Sequence, residues 1–130
     1  MKLFLHRLIR RGFSQAQRRH MYRIRDAVEG WVLAKGYTRP LATAEEIAAD
    51  IGIPADELSR YIHLLSGKPL LTWRKELRIL EAQRLLRDYP DMPVSMIGEM
   101  VGIEDKSNFR KQFTEVVGMT PRQWREGMLR

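Results

Sequence analysis

The chain contains no cysteine, which excludes disulfides, thiolate metal sites and cysteine nucleophiles and fits a reducing compartment. Its three histidines, His6, His20 and His63, have no acidic or histidine partner at metal-ligand spacing. No apolar run approaches the ~20 residues that a membrane span needs. Met1-Lys2-Leu3-Phe4-Leu5 is too short for the apolar core of a secretory signal, and it runs into Arg10-Arg11 without a small-residue cleavage site. The nine glycines stand singly at helix ends, at turns or inside helices, so no phosphate-binding loop is formed. Acids gather at helix starts (Glu45/Glu46, Glu104/Asp105), where capping and the helix dipole account for them. Strand-like alternation, hairpin turns and low-complexity tracts are missing as well. The expectation is an all-α protein that is not an enzyme and needs no cofactor or metal.

What is there begins with charge. At 130 residues the chain has room for one compact domain or two very small ones, and its formal net charge is +7. A basic excess favours a polyanionic partner, but the excess is uneven. Residues 1–25 hold eight Lys/Arg and no acid; residues 26–71 are net −3, and residues 72–130 net +2. Residues 1–25 are expected to be mainly a basic tail. A nonspecific phosphate-binding arm, a membrane-surface segment and the remnant of a longer protein are the alternatives.

The remaining sequence says one thing twice. Ile47-Ala48-Ala49-Asp50-Ile51-Gly52-Ile53 returns fifty residues later as Ile97-Gly98-Glu99-Met100-Val101-Gly102-Ile103. After a one-residue insertion the match continues at fifty-one: Leu58 with Phe109, Arg60 with Lys111, Ile62 with Phe113, Gly67 with Gly118, Trp73-Arg74 with Trp124-Arg125. A period near fifty through apolar, glycine and Trp-Arg positions marks one supersecondary unit built twice.

Local signals divide the chain into about seven helices. Tyr22, Ile24, Ala27, Val28, Trp31 and Val32 recur at helical spacing until Gly36 stops the run. Thr43-Ala44-Glu45-Glu46 is a capping box opening a helix to Ile51, in which Glu46 reaches back. Gly52 supplies the turn, and Pro54 suits the first position of a helix to about Leu65. A long helix is predicted over 70–88. Trp73, Leu77, Leu80, Ala82, Leu85 and Leu86 fall on its buried side, with Arg74, Lys75, Arg78, Arg84 and Arg87 outside. Tyr89-Pro90-Asp91-Met92-Pro93 ends it. Helices near 94–101 and 105–117 form the second copy, and Thr120-Pro121 opens a last one through Trp124. The expected organisation is a basic tail or upstream remnant (1–21), a first helix-turn-helix subdomain with its leading helix (22–68), a linker helix (69–89) and a second helix-turn-helix subdomain (90–130).

In a helix-turn-helix the first helix braces while the second lies in the major groove, so the turn must be tight and the packing angle fixed. That explains a small residue in each bracing helix (Ala48, Gly98), a turn glycine (Gly52, Gly102) and apolar residues facing a shared core (Ile47, Ile51, Leu58, Ile62; Ile97, Val101, Phe109, Phe113). Nineteen residues of linker at ~1.5 Å each span roughly 28 Å, near the ~34 Å of one DNA turn. Head-to-tail repeats in one chain imply an asymmetric site that a monomer suffices to occupy. Trp73 and Trp124, at matching places in the two copies, are expected core anchors.

Leu58-Ser59-Arg60, Arg78-Ile79-Leu80-Glu81-Ala82-Gln83-Arg84-Leu85-Leu86, Ser107-Asn108-Phe109-Arg110-Lys111-Gln112-Phe113 and Gly118-Met119-Thr120-Pro121-Arg122-Gln123-Trp124-Arg125 together resemble the DNA-binding domain of AraC/XylS-type transcription regulators. The resemblance covers about residues 41–126 and is best in the second half. It implies sequence-specific binding to double-stranded DNA at bacterial promoters, contact with RNA polymerase and a cytoplasmic location. Carried over, it makes Lys106, Ser107, Asn108, Arg110 and Lys111 of the second reading helix DNA contacts. Lys111 suits a guanine edge or a phosphate, and Asn108 an adenine. Thr43, Lys75 and Ser95 are expected phosphate contacts.

The first reading helix departs from the family pattern. Asp56 and Glu57 stand where bulky or basic residues are usual, leaving Ser59, Arg60 and His63 as contacts. Ile103 replaces a usual Phe and Gly98 a usual Ala, each at a cost of up to ~1 kcal/mol. The expectation is that the second unit supplies most of the affinity. The alternatives are a non-enzymatic protein-interaction module with weakened DNA binding, or the output domain of a longer sensor-regulator that dimerises through upstream domains.

Overall fold

The computed structural model describes residues 12–128, and these described residues form seven α-helices and one 3-10 turn. They are α1 (Gln15–Leu33), the 3-10 turn Gly36–Thr38, α2 (Ala44–Ile51), α3 (Ala55–Ser66), α4 (Leu70–Asp88), α5 (Val94–Met100), α6 (Lys106–Val117) and α7 (Pro121–Met128). No strand is present among the described residues. The all-α class and the two helix-turn-helix pairs are as expected: α2 with α3, and α5 with α6.

α1 starts seven residues before the expected Tyr22, so residues 15–21 are helix rather than tail. The cause is a capping box. The Ser14 hydroxyl accepts from the Gln17 amide, and Gln17 Oε1 accepts from the Ser14 amide. At its other end the helix stops at Leu33, and Lys35 takes the left-handed conformation at φ 56°. Gly36 lies against the Trp31 indole, where a side chain has no room.

The chain divides into two compact units. One comprises residues up to Gly36 with Leu41–Trp73; the other comprises Tyr37–Pro40 with residues from Arg74 onward. The boundary falls inside α4, whose first residues belong to one unit and the rest to the other. The first unit buries Ile24, Val28 and Trp31 of α1, Ile47 and Ala48 of α2, and Leu58, Tyr61 and Ile62 of α3. Ile51 is half-buried. The Trp73 ring stacks on Trp31 with centroids 6.1 Å apart, and Trp31 Nε1 donates to Asp50 at 2.8 Å.

The second unit buries Ile79, Ala82, Leu85 and Leu86 of α4 with Ile97, Val101, Ile103, Phe109 and Phe113, and Trp124 packs against this cluster. Trp124 meets the Phe113 ring edge-on at 6.3 Å. Each repeat therefore uses its tryptophan for ring packing.

α4 departs from the single stripe expected of it. Leu80 is 64% exposed, whereas Ile79 is fully buried and Arg74 and Arg78 are nearly so. A helix shared by two units obeys the surfaces it meets at each end, and no one period of apolar residues describes both. Arg78 is tolerated inside because its fork is satisfied: Nε donates to the Tyr37 carbonyl at 2.6 Å and Nη2 to the Arg39 carbonyl at 2.7 Å. Burial, then the neighbouring Arg74, lowers the Arg78 pKa to about 10.

Candidate nucleic-acid interface

The geometry of each reading helix is set by the turn before it. Gly52 and Gly102 hold φ of 89° and 91°, a left-handed conformation in which an L side chain is strained. The following helices differ in how they begin. Asp105 caps α6 by accepting from the Asn108 amide at 2.7 Å, while Pro54 precedes α3 without a side-chain cap.

In α6, Phe109 and Phe113 face the core, and Lys106, Ser107, Asn108, Arg110 and Lys111 are all exposed. Ser107, Arg110 and Lys111 border one shallow concavity with Thr114 and Glu115. Asn108 Oδ1 accepts from Gln112 at 3.1 Å, which leaves the Asn108 amide group free to turn outward. The structure thus collects the five expected contacts of the second reader on one element, with no apolar interruption among the exposed positions.

α3 is a different surface. Asp56, Glu57 and Arg60 give it a net charge of −1, against +2 for α6 with Lys106, Arg110, Lys111 and Glu115. Arg60 is paired with Asp56 at 3.4 Å, both side chains 77% exposed, a contact worth little in water. Glu57 is held by His20 of α1, Nε2 to Oε1, at 3.1 Å. Ser59 is half-buried and His63 exposed.

The three expected phosphate contacts are scattered. The Thr43 hydroxyl caps α2 by accepting from the Glu46 amide, and Glu46 reaches back to the amide of Ala42 rather than of Thr43. Lys75 is half-buried and paired with Glu115 at 3.5 Å. Ser95 is half-buried in the first turn of α5 and lines a cavity of about 640 Å³ together with Lys106, Arg110 and Arg122. Arg122, 87% exposed, was not singled out in the sequence. Only its place in the turn that opens α7 marked it, and the cavity is what relates it to Lys106 and Arg110.

A family model described as a helix-turn-helix domain matches residues 47–127, which spans both repeats. The chain belongs to the AraC-type helix-turn-helix family. Among family members, the arabinose operon regulatory protein of Escherichia coli (strain K12) is 30% identical over 81 residues, 62% of this chain and 27% of that protein. The HTH-type transcriptional activator RhaR of Cronobacter sakazakii is 38% identical over 61 residues, 47% of this chain and 21% of that protein. The chain spans between a fifth and three tenths of the curated relatives it matches.

The solved C-terminal domain of AraT, a response regulator from Geobacillus stearothermophilus, superposes with TM-score 0.69 at 25% identity, covering 80% of this chain and 84% of that one. The DNA-binding domain of AdpA, a global transcriptional factor solved with a target DNA, shares the fold with TM-score 0.67 at 23% identity, covering 80% and 90%. An AraC-type domain is a DNA-binding module rather than an enzyme. No helix among the described residues is long and apolar enough to cross a membrane.

Proposed function

We propose that this chain is a sequence-specific transcription regulator that inserts α3 and α6 into adjacent major-groove segments of an asymmetric promoter site. The observation that carries this reading is the composition of α6: a capped helix with Lys106, Ser107, Asn108, Arg110 and Lys111 exposed and no acid before Glu115. Such a helix supplies bidentate donors for guanine, a pairing group for adenine and cations for phosphate. The helix-turn-helix pair is built twice, α2 with α3 and α5 with α6, and this supports a two-reader arrangement. The family supports regulation, and RNA polymerase is the expected second partner, in the cytoplasm. Thr43, Lys75 and Ser95 remain proposed phosphate contacts. Lys75 must give up Glu115 to act as one.

Within this reading α6 dominates. α3 carries its carboxylates in the first turn, where approach to phosphate is repulsive. Selection from randomised duplexes with the full chain, followed by competition binding, tests the proposal. The expected result is a preferred asymmetric sequence bound at least ~10³-fold more tightly than random DNA. Lys111→Ala should lose roughly 1–3 kcal/mol of specific affinity, and Arg60→Ala much less. The reverse ranking would overturn the dominance of α6, and no preferred sequence would overturn the regulator.

The acidic α3 favours one second reading, a protein-interaction module with weakened DNA binding. In that case Lys111→Ala leaves DNA affinity unchanged.

A further inference from the structure

We infer that the N-terminal half of α1 is a phosphate-gripping arm, with Arg18, Arg19 and Arg23 contacting the DNA backbone beside the first reading helix. This inference rests on the proposal that α3 enters the groove. It supplies what that helix lacks.

Four observations carry it. The arm is ordered helix, nucleated by the Ser14–Gln17 capping box, well before the apolar pattern of α1 begins. Its cations are uncommitted: among the described residues no carboxylate lies within ion-pairing distance of Arg18, Arg19 or Arg23. Arg25, by contrast, is spent on Asp26 at 3.0 Å and on the Tyr22 ring at 4.7 Å. The third observation is placement. His20 of α1 meets Glu57 in the first turn of α3, Nε2 to Oε1, at 3.1 Å. That contact sets His20 beside the first turn of α3, with Arg19 its chain neighbour and Arg23 one turn further along α1. The N-terminal end of a reading helix is the end that approaches base edges, with phosphates on either side. The fourth is need: α3 is net −1, so the first unit has little positive charge of its own at that surface.

Guanidinium groups form paired hydrogen bonds to phosphate, and the packed helix fixes the positions from which their side chains reach. The His20 contact occupies the Glu57 carboxylate and so removes part of the repulsion that an approaching phosphate would meet.

The test is the salt dependence of binding, read by fluorescence anisotropy on the full chain between about 50 and 200 mM salt. A selected duplex and a scrambled one are compared. Each phosphate contact contributes ~0.9 to the slope of log affinity against log salt. The triple variant Arg18→Gln, Arg19→Gln, Arg23→Gln should shallow the slope by about two to three. It should weaken both duplexes by the same factor, keep their ratio, and leave the melting temperature and helical circular dichroism unchanged. Lys35→Gln, which removes one cation just past the opposite end of α1, should leave the slope unchanged. An unaltered slope in the triple variant overturns the inference, as does an equal effect per charge from Lys35→Gln. If the unaltered chain shows no sequence preference yet the triple variant still shallows the slope, the regulator proposal fails and the arm stands. If the chain binds neither duplex, both fall.

Discussion

Arg78 ties α4 to the segment Tyr37–Pro40 within the second unit. It is 7% exposed, and its two hydrogen bonds reach carbonyls of the segment Tyr37–Pro40, which holds the single 3-10 turn. Replacing it with Met removes both of these hydrogen bonds, for a loss of roughly 2–4 kcal/mol in urea unfolding. Arg78→Lys should recover less than half of that, because one ammonium cannot reproduce a fork aimed at two carbonyls. A loss within ~0.5 kcal/mol of zero for the Met variant would show the bonds to be dispensable. A second buried group makes a prediction about pH. The Tyr61 hydroxyl is pushed up to about 12, by burial first and then by Glu29. Between its ordinary value of 10 and that raised value, the unfolded chain gives up a proton that the folded chain keeps. Stability therefore falls as pH rises through this window, and is complete below it. Tyr61→Phe should flatten the decline in melting temperature between pH 10 and 12.

At the scale of elements, the two repeats use the same turn under different constraints. Gly52 and Gly102 share the left-handed conformation, yet a Cβ at Gly52 would meet open space. A Cβ at Gly102 would stand 2.6 Å from the Thr38 carbonyl and 2.8 Å from Arg78 Nη2. Gly52→Ala should thus cost about 1–2 kcal/mol, from backbone strain alone. Gly102→Ala should cost a further ~1–3 kcal/mol for the clash, and equal losses in denaturant unfolding would refute the distinction. The bracing helices differ for a related reason. A Cβ on Gly98 would lie 2.9 Å from the Phe109 ring, in the repeat where Phe109 replaces Leu58. The weaker helix former at 98 accompanies the larger ring at 109, so the departure from the family's usual Ala is compensated in packing.

For the whole molecule, charge is the property that a single structure-wide experiment reads. The four cations Lys2, Arg7, Arg10 and Arg11 precede the described residues, so a deletion of residues 1–11 removes charge without touching α1. Deleting residues 1–25 instead would remove buried Ile24 and the Ser14 cap, confounding folding with binding. The shorter deletion should weaken selected and random duplexes by one common factor and leave the specificity ratio intact, as competition binding at fixed salt would show. A fall in the ratio would mean that these residues read bases.

Local chemistry alone determined much of this protein. The capping threonine, the glycines at left-handed positions and the proline-flanked break fixed α2 (Ala44–Ile51) and α4 (Leu70–Asp88) to the residue, because each signal acts within one helical turn. The duplication fixed the fold class and pointed to α6, since a repeat written twice leaves the unmatched surface residues visible. The Ser14–Gln17 box was written there too and went unread, hidden in a stretch whose basic composition suggests a tail. What only the tertiary structure decided is who is buried against whom. Ile79 rather than Leu80 enters the core, Arg74 and Arg78 go inside, and His20 finds Glu57 thirty-seven residues away. Burial follows from the surfaces that meet at each point along an element, and a period measured along one helix carries no information about its neighbour.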